Sequence, residues 1–400
     1  MKKTLDSKRW SEEDLDLMTL IEPLACVQHA YGRLPETLKV PTARVFGGGP
    51  IGSLHVIEIR RRFPGVRVEV IDPSPVRRAL LSRVFPGLTV GADASGLAAV
   101  SLSVVATSDP AANLDAIRTT RAMGHVVHFS GLNHKTRGDL VSHEGIDIEA
   151  LHRHEETRRL KNGTRLVGSS GYSEMDIERS ILSLKERPEA YRVVQTAVVS
   201  DLDSRILVNT PSGNAAFHQE PVIETLLNDG DAYMHHLKVV FRVRAGSEGL
   251  QVSPARSASG ELSGRVKPSP SPADLAPGYV RVQMLRFSIC NTDRRVLQGT
   301  KSATVTEDLI LGHEGVGMVI AIGPEADVVN RGLSLILPHY YETDDVLRAS
   351  GIPYLSTDLK HLGVHISGCF TQVVDVPSSC IFAVDPVITA AARSRTAIVI

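Results

Sequence analysis

A cysteine and a His-Glu pair late in the chain carry the side chains best suited to hold a catalytic metal. Cys290 is followed further along the chain by the adjacent residues His313 and Glu314. A thiolate, an imidazole and a carboxylate can bind a zinc ion that keeps one position open for a substrate oxygen. A lone cysteine is more often a small buried apolar residue, and a lone His-Glu pair is usually ordinary core or surface. The pattern therefore predicts a metal site only if the rest of the chain supports it.

A glycine-rich turn near the N-terminus predicts a second ligand site. A strand-like segment at 43–46 leads into glycines, and an apolar-periodic helical stretch follows. Glycines there permit a tight turn, backbone approach to a pyrophosphate and close helix packing, while the helix N-terminus points at the phosphates. We call residues 47–52 the glycine turn. The residues expected to bind the cofactor are Gly47, Gly49, Pro50, Ile51 and Gly52.

An aspartate closes the next predicted strand and bears on the choice of cofactor. Asp72 follows the apolar segment 66–71, where dinucleotide-binding units carry the residue that binds the ribose hydroxyls. Its carboxylate would repel a 2′-phosphate, which favours NAD(H) over NADP(H). Arg77 and Arg78 are near enough in sequence to attract that phosphate, so NADP(H) stays the less favoured alternative.

The elements that follow are expected to complete a parallel sheet. Helical stretches separate three further strand patterns, at 102–107, 125–130 and 164–167. This alternation predicts parallel α/β units with ligand-binding loops at the carboxyl ends of the strands. The residues expected to line the cofactor cleft there are Thr107, Ser130 and Gly131.

A charged run before the last of these strands contains further metal-ligand residue types. Residues 152–156 are His-Arg-His-Glu-Glu. Charge runs are usually a solvated face of the protein. We therefore interpret this run as solvated charge rather than as a second metal site.

Composition excludes several classes of partner. The chain has 400 residues, 42% of them hydrophobic, so two domains with substantial cores are expected. The formal net charge is -1 and the sequence has no dense basic run, so we expect no nucleic-acid or anionic-membrane partner. The sequence also lacks an apolar run long enough to predict a membrane span. The four cysteines are widely spaced and predict no disulfide framework. We expect a cytoplasmic protein with small-molecule partners.

Several segments resemble the zinc-dependent medium-chain alcohol and polyol dehydrogenases. They are Cys290-Asn291-Thr292-Asp293, Gly312-His313-Glu314, Ile21-Glu22-Pro23-Leu24-Ala25 and the Gly-Cys-Phe-Thr-Gln segment that begins at Gly368. In that family the metal motifs precede the nucleotide-binding domain, whereas here they follow it. The resemblance therefore implies a circularly permuted α/β protein, with a Rossmann doubly wound parallel sheet first and a GroES-like β-rich catalytic domain last.

The resemblance implies one catalytic zinc. Cys290 and His313 would bind it, while Glu314 and Glu22 compete for the remaining protein position. A buried carboxylate such as Glu22 is costly unless it is paired or bound to metal, although a surface helix carboxylate is the alternative.

Two neighbours of Cys290 have implied roles in the reaction. Thr292 would pass the proton of the substrate hydroxyl outward, and Asp293 would orient His313. Many relatives carry four cysteines for a structural zinc in the segment that corresponds to 331–368, and this chain has no cysteine in that segment. We therefore expect no structural zinc.

The predicted domain organisation follows the permuted order. It comprises an N-terminal segment with the Glu-Pro-Leu motif (1–35), an NAD-binding Rossmann domain (36–187), part of the catalytic domain (188–243), a flexible linker rich in Ser, Pro and Gly (244–277) and the GroES-like zinc-binding domain (278–400).

The predicted function is the NAD(H)-linked interconversion of a secondary or polyol-like alcohol and its ketone or aldehyde. We expect a homo-oligomer, either a dimer or a tetramer. Two alternatives stay open. A zinc-free reductase of the same superfamily would lack the ligands Cys290 and His313, and a non-catalytic nucleotide-binding protein would bind cofactor without turnover.

Overall fold

The chain folds into two compact units. The computed structural model describes residues 10–132, 142–200, 202, 221–243, 249–269, 274–299, 305–327, 332–341 and 359–384. The described residues between Pro23 and Ser180 form the first, which we call the α/β unit. Those up to Glu22 and those from Ile181 onward form the second, which we call the β-rich unit. Both boundaries fall inside helices, so the predicted N-terminal segment is divided between the two units.

Helices and strands alternate in the first half of the chain, and strands dominate the second. The helices are α1 (Glu12–Met18), α2 (Ile21–Gly32), α3 (Pro50–Arg62), α4 (Pro75–Val84), α5 (Pro110–Arg118), α6 (Ile148–Arg153), α7 (Glu174–Glu186), α8 (Pro188–Arg192), α9 (Val222–Asn228), α10 (Gly230–Met234) and α11 (Asn291–Leu297). The strands are β1 (Thr42–Phe46), β2 (Arg67–Ile71), β3 (Thr89–Gly91), β4 (Val100–Val105), β5 (Thr120–His128), β6 (Ser142–His143), β7 (Ile146–Asp147), β8 (Thr157–Arg159), β9 (Arg165–Gly168), β10 (Gln195–Val199), β11 (Lys238–Arg242), β12 (Leu250–Arg256), β13 (Leu262–Pro268), β14 (Tyr279–Ser288), β15 (Gly315–Ile322), β16 (Leu333–Ile336), β17 (His339–Tyr341), β18 (Leu359–His361), β19 (Val373–Pro377) and β20 (Ile381–Ala383). Among the residues described, no helix has both the length and the apolar character needed to cross a membrane.

A mostly parallel sheet forms the core of the α/β unit. In the described residues its strands run in the order β3-β2-β1-β4-β5-β9-β8, and only β8 is antiparallel to its neighbour. Strand β4 is buried along its whole length, which explains its continuous apolar sequence. With β9 as the sixth parallel strand, this is the 3-2-1-4-5-6 order of the Rossmann fold. The predicted doubly wound sheet is confirmed.

A mainly antiparallel sheet forms the core of the β-rich unit. Its strands run in the order β10-β11-β14-β15-β16-β20, and β19 also pairs with β14. Segments far apart in the sequence therefore meet at β14, which pairs with β11, β15 and β19. The buried rings of Phe241, Phe287 and Phe370 pack in series, with centroids 5.2 and 4.7 Å apart. This core fixes β14, whose C-terminal end leads into Cys290.

The predicted flexible linker at 244–277 contains a β-hairpin. Strands β12 and β13 pair antiparallel along their full lengths. Helix α9 packs beside the hairpin, where the Asn228 side chain donates to the carbonyl of Gly264 at 3.0 Å and accepts from its N–H at 2.8 Å. The linker prediction is wrong here because backbone pairing and contacts from α9 supply the order that a Ser, Pro and Gly-rich composition does not indicate. The segments 244–248 and 270–273 lie outside the described residues.

A buried aspartate ties the N-terminal helix to the second sheet. Helix α1 begins after Ser11, which forms a capping box with Asp14. Asp16 on this helix is 3% exposed and accepts hydrogen bonds from Arg242 on β11 at 2.5 Å and from Arg286 on β14 at 2.7 Å. The two guanidinium groups compensate the free-energy cost of burying the Asp16 carboxylate. The first helix of the chain is therefore fixed to strands that come late in the sequence.

Candidate metal and nucleotide sites

Three of the four side chains that the sequence predicted at a metal lie together in the β-rich unit. The potential ligand atoms of Cys290, His313 and Glu314 all lie within 4.8 Å of one another, and we call these residues the metal-ligand cluster. Cys290 follows β14 as the N-cap of α11, while His313 and Glu314 directly precede β15. Because β14 and β15 pair antiparallel, the two motifs lie side by side. A thiolate, an imidazole and a carboxylate at this spacing fit a zinc ion.

One carboxylate connects the two motifs. Asp293 Oδ2 accepts from the backbone N–H of Cys290 at 2.8 Å, and its Oδ1 lies 3.1 Å from His313 Nδ1. The second contact has ion-pair distance without good hydrogen-bond alignment. Burial lowers the pKa of His313, but Asp293 and Cys290 outweigh this and raise that pKa well above its ordinary value. Because Nδ1 faces Asp293, Nε2 is the ring nitrogen suited to a metal, as expected beside an orienting carboxylate.

A buried lysine that sequence reasoning missed also belongs to this site. Lys238 is 3% exposed, and its Nζ contacts Glu314 Oε2, which also accepts from Ser288 Oγ at 2.7 Å. Burial lowers the pKa of Lys238, but Glu314, Cys290 and Tyr233 raise it above its ordinary value. Burial raises the pKa of Glu314, but Lys238, His313 and Ser288 together outweigh this, so the pKa of Glu314 is lowered. A lysine opening the apolar strand β11 was the available signal, because a buried charge requires a partner.

The glycine turn has the close approaches that its sequence predicted. Gly47 has a φ of 98°, and a Cβ atom there would lie 2.7 Å from the carbonyl oxygen of Ala106. A Cβ at Gly52 would lie 1.9 Å from the carbonyl oxygen of Gly47, so any larger residue would push α3 away from β1. A Cβ at Gly49 would meet nothing within 4 Å, which leaves room for a ligand against the backbone. Helix α3 starts at Pro50, and its N-terminal dipole favours a phosphate at this end.

Asp72 lies at the carboxyl end of β2, beside the glycine turn. Its Oδ2 accepts from the N–H of Gly48 at 2.7 Å, and its Oδ1 accepts from the N–H of Ser74 at 2.9 Å. A carboxylate offers about four acceptor sites, so both oxygens retain capacity for ribose hydroxyls. Arg78 donates to the carbonyl oxygen of Asp72 at 2.8 Å. An anionic and a cationic determinant of cofactor choice therefore lie at the same strand end.

The remaining predicted cofactor residues lie at neighbouring strand ends. Thr107 follows β4, and Ser130 and Gly131 follow β5; all three are half-exposed. The N–H of Ser130 donates to the carbonyl of Val105 at 3.2 Å, which fixes the chain after β5 to β4. Pro50 and Ile51 are half-exposed in the first turn of α3. The predicted cofactor residues therefore all lie at the carboxyl edge of one sheet, where such folds bind ligands.

Two predicted site residues lie outside the metal-ligand cluster. Glu22 is half-buried in the first turn of α2 and belongs to the β-rich unit. In the described part of the chain, it is not among the side chains whose ligand atoms meet within 4.8 Å. Thr292 is half-exposed in the first turn of α11. The roles assigned to Glu22 and Thr292 stay predictions.

The charged run at 152–156 is not uniformly solvated. Glu155 is 8% exposed and accepts from the N–H of Ser170 at 2.8 Å, and its Oε1 lies 3.0 Å from Nε2 of His29. Nδ1 of His29 also lies 2.9 Å from Asp176 Oδ2. Burial lowers the pKa of His29, but Asp176 and Glu155 outweigh it and raise that pKa to about 9. The solvated-charge interpretation is wrong for Glu155 because its partners come from distant segments.

Comparison with known proteins relates one part of the chain to a family. Residues 276–386, a little over a quarter of the chain, match the family model of the alcohol dehydrogenase GroES-like domain. The glucose 1-dehydrogenase of Thermoproteus tenax is 36% identical over 76 residues, which cover 18% of this chain and 21% of that protein. The L-threonine 3-dehydrogenase of Protochlamydia amoebophila is 25% identical over 123 residues, which cover 30% of this chain and 36% of that protein. The chain thus spans about a fifth and about a third of these two relatives.

Solved structures include partial matches to the chain. The 2R,3R-butanediol dehydrogenase from Bacillus subtilis aligns with a TM-score of 0.34 and 20% identity, over 45% of this chain and 49% of that one. The family match at 276–386 contains the whole metal-ligand cluster. The chain is therefore a Rossmann-type α/β unit followed by a segment similar to the GroES-like domain of alcohol dehydrogenases.

Proposed function

We propose that this protein is a zinc-dependent, NAD(H)-linked oxidoreductase that interconverts a secondary or polyol-like alcohol and the corresponding ketone or aldehyde. The observation that carries the proposal is the metal-ligand cluster, with its ligand atoms within 4.8 Å of one another and Asp293 contacting two of its members. The family match to the same segment supports it.

The residues of the β-rich unit have distinct tasks in this proposal. Cys290, His313 and Glu314 hold the zinc ion, with Glu22 as the alternative carboxylate. When bound, zinc lowers the pKa of an alcohol hydroxyl and so favours its deprotonation. Asp293 keeps His313 in the ring orientation that presents Nε2. The hydroxyl of Thr292 carries the substrate proton towards solvent.

The α/β unit binds the nucleotide in this proposal. The glycine turn admits the pyrophosphate because Gly49 leaves its backbone accessible, and the N-terminus of α3 faces the negative charge. Asp72 accepts from the ribose hydroxyls, which favours NAD(H). Thr107, Ser130 and Gly131 lie at the strand ends that the other half of the cofactor would cover.

We also infer that the chain is circularly permuted relative to medium-chain dehydrogenases. Helix α1 precedes the α/β unit in sequence but belongs to the β-rich unit, to which Asp16 ties it. The GroES-like segment follows the α/β unit. Permutation requires only that the joined termini lie near each other, as domain termini often do. A cytoplasmic location and a homo-oligomeric state remain predictions.

Metal analysis combined with turnover tests the proposal. The wild-type chain should contain one zinc and reduce NAD with at least one member of a panel of secondary alcohols and polyols, followed by NADH absorbance. Cys290→Ser should lose both zinc and turnover, whereas Cys26→Ser, another half-buried cysteine, should keep both. Two zincs per chain, or full turnover in Cys290→Ser, would contradict the proposal. Turnover without zinc would favour a zinc-free reductase, and NADH binding without turnover a non-catalytic protein.

A further inference from the structure

A histidine on α6 is held in a defined tautomer at the end of β5. Nδ1 of His152 lies 3.1 Å from the carbonyl oxygen of His128, the last residue of β5. A carbonyl oxygen can only accept a hydrogen bond, so Nδ1 must carry the proton. Burial lowers the pKa of His152, which keeps the ring neutral near pH 7. In the neutral ring with a protonated Nδ1, Nε2 is a hydrogen-bond acceptor.

This acceptor lies against the loop that follows β5. A Cβ atom at Gly131 would lie 3.2 Å from Nε2 and 3.3 Å from Cδ2 of His152. Any side chain at position 131 would therefore cover this edge of the imidazole, and glycine leaves it open. In the part of the chain that the structure describes, the hydrogen bond of the His152 ring is made by Nδ1, and none is made by Nε2.

Helix α6 also fixes the loop itself. Glu149, one turn before His152, accepts from the N–H of Leu132 at 2.8 Å, and the N–H of Ser130 donates to Val105 at 3.2 Å. The residues on either side of Gly131 are thus held by hydrogen bonds. The acceptor and the backbone in front of it form a fixed pair rather than two independent groups.

The order of the strands tells which half of a dinucleotide this acceptor would meet. Asp72 at the end of β2 receives the adenosine ribose, and the glycine turn at the end of β1 receives the pyrophosphate. Strands β4 and β5 continue the same edge on the other side of β1. A dinucleotide bound this way directs its nicotinamide half towards β4 and β5, where His152 lies.

We propose that Nε2 of His152 accepts a hydrogen bond from the carboxamide N–H of the nicotinamide. The inference rests on the nucleotide binding assigned above to the α/β unit. The carboxamide supplies the amide N–H donors in this half of the cofactor, and a neutral acceptor suits them. This contact would fix the rotation of the nicotinamide ring about its glycosidic bond.

Calorimetric binding to the full chain tests the contact without reference to turnover. The ligands are NADH, the reduced 3-acetylpyridine analogue, in which a ketone replaces the amide, and ADP-ribose, which has no nicotinamide. His152→Phe keeps a ring of similar shape but removes the acceptor. His154→Phe, at the exposed C-cap of the same helix, is the matched control.

His152→Phe should weaken NADH binding about tenfold, as expected for one hydrogen bond of roughly 1.4 kcal/mol. It should leave ADP-ribose binding unchanged. The acetylpyridine analogue should bind the wild type less tightly than NADH, and His152→Phe should not weaken its binding further. His154→Phe should change none of the three. Gly131→Ala, whose methyl group covers Nε2, should reproduce the NADH-specific loss even if His152→Phe does not fold.

Each other outcome overturns the inference in a recognisable way. An equal loss for NADH and ADP-ribose would show a structural role for His152. An equal loss for NADH and the acetylpyridine analogue would assign the acceptor to a ribose hydroxyl. Failure of the wild-type chain to bind either NADH or ADP-ribose would refute the proposed nucleotide binding itself, and this inference with it.

Discussion

The two candidate sites of this molecule depend on opposite kinds of atoms. At the glycine turn, the backbone geometry requires the absence of side-chain atoms, because a Cβ at Gly47 or Gly52 would collide with backbone carbonyls. At the metal-ligand cluster, the arrangement depends on buried charged side chains, such as Glu314 and its neighbour Lys238. A site built on backbone shape should fail when atoms are added, and a site built on compensated charge should fail when atoms are removed. The glycine turn must therefore be tested by adding side-chain atoms, and the metal-ligand cluster by removing charged groups.

Removal of the buried ammonium should have the largest effect. Lys238→Met leaves Glu314 as a buried charge that has lost its ammonium partner, which should cost about 3 to 5 kcal/mol of unfolding free energy. Urea denaturation in the presence of a chelator measures this cost without metal. The double variant Lys238→Met/Glu314→Gln should recover most of it. A loss below about 1 kcal/mol in the single variant would show that charge compensation does not stabilise this site.

Addition of one methyl group at the glycine turn should disrupt the predicted nucleotide site. Gly52→Ala places a Cβ 1.9 Å from the carbonyl oxygen of Gly47, so β1 and α3 must separate and both stability and NADH affinity should fall. We expect roughly a hundredfold loss of affinity, about 2.7 kcal/mol. Gly49→Ala is the matched control: it should weaken NADH binding but keep the thermal midpoint, because its Cβ meets nothing within 4 Å. Equal thermal midpoints for Gly52→Ala and Gly49→Ala would contradict the argument that the close approach at Gly52 excludes a Cβ atom.

Glu22, if it binds the metal, would add a residue from the N-terminal segment to the metal-ligand cluster. If Glu22 serves the metal, Glu22→Gln should weaken zinc binding about tenfold in chelator competition, the lower end of the usual range for outer ligand partners. The exposed Glu36, changed to Gln, provides the control and should have no effect. Identical zinc affinities in the two variants would leave Glu22 as an ordinary helix carboxylate and would weaken the argument for permutation.

The smallest expected effect concerns the ion pairs of His29 with Asp176 and Glu155 in the α/β unit, where the imidazole is partly exposed. The pKa of His29 is raised to about 9 by Asp176 and Glu155 against the effect of burial, so the folded state binds a proton more tightly than the unfolded state. The stabilisation is fully present below about pH 6.5, the ordinary pKa, and is lost as the pH rises through about 9. Discounted for solvent screening, it should amount to about 1 kcal/mol. The difference in unfolding free energy between wild type and His29→Gln should shrink between pH 6 and pH 10, and a constant difference would exclude the protonated histidine.

The sequence predicted the parts of these sites that local spacing encodes. The glycine turn, Asp72 and the strand ends belong to one short stretch or to repeated α/β units, so their residue types indicate their positions. Cys290 and His313 could be predicted because both belong to recognisable motifs. Lys238 and the partners of Glu155 were missed because the sequence does not show which distant segment supplies the counterion of a buried charge. The hairpin of β12 and β13 was missed for a different reason: its strands are close in sequence, but the Ser, Pro and Gly-rich composition does not indicate their backbone pairing or the contacts with α9.

The link between Asp16 and Arg286 has a consequence for synthesis on the ribosome. These partners are 270 residues apart, and the aspartate emerges first. At roughly 5 to 20 residues per second, α1 must wait roughly 15 to 50 s before β14 exists to receive it. The residues of the α/β unit between Pro23 and Ser180 are all synthesised within that interval, so this unit can fold before β14 is made. The first helix made therefore completes its polar contacts only after partners such as Gln195 and Arg242 are already available, and its contact with β14 is among the last to form.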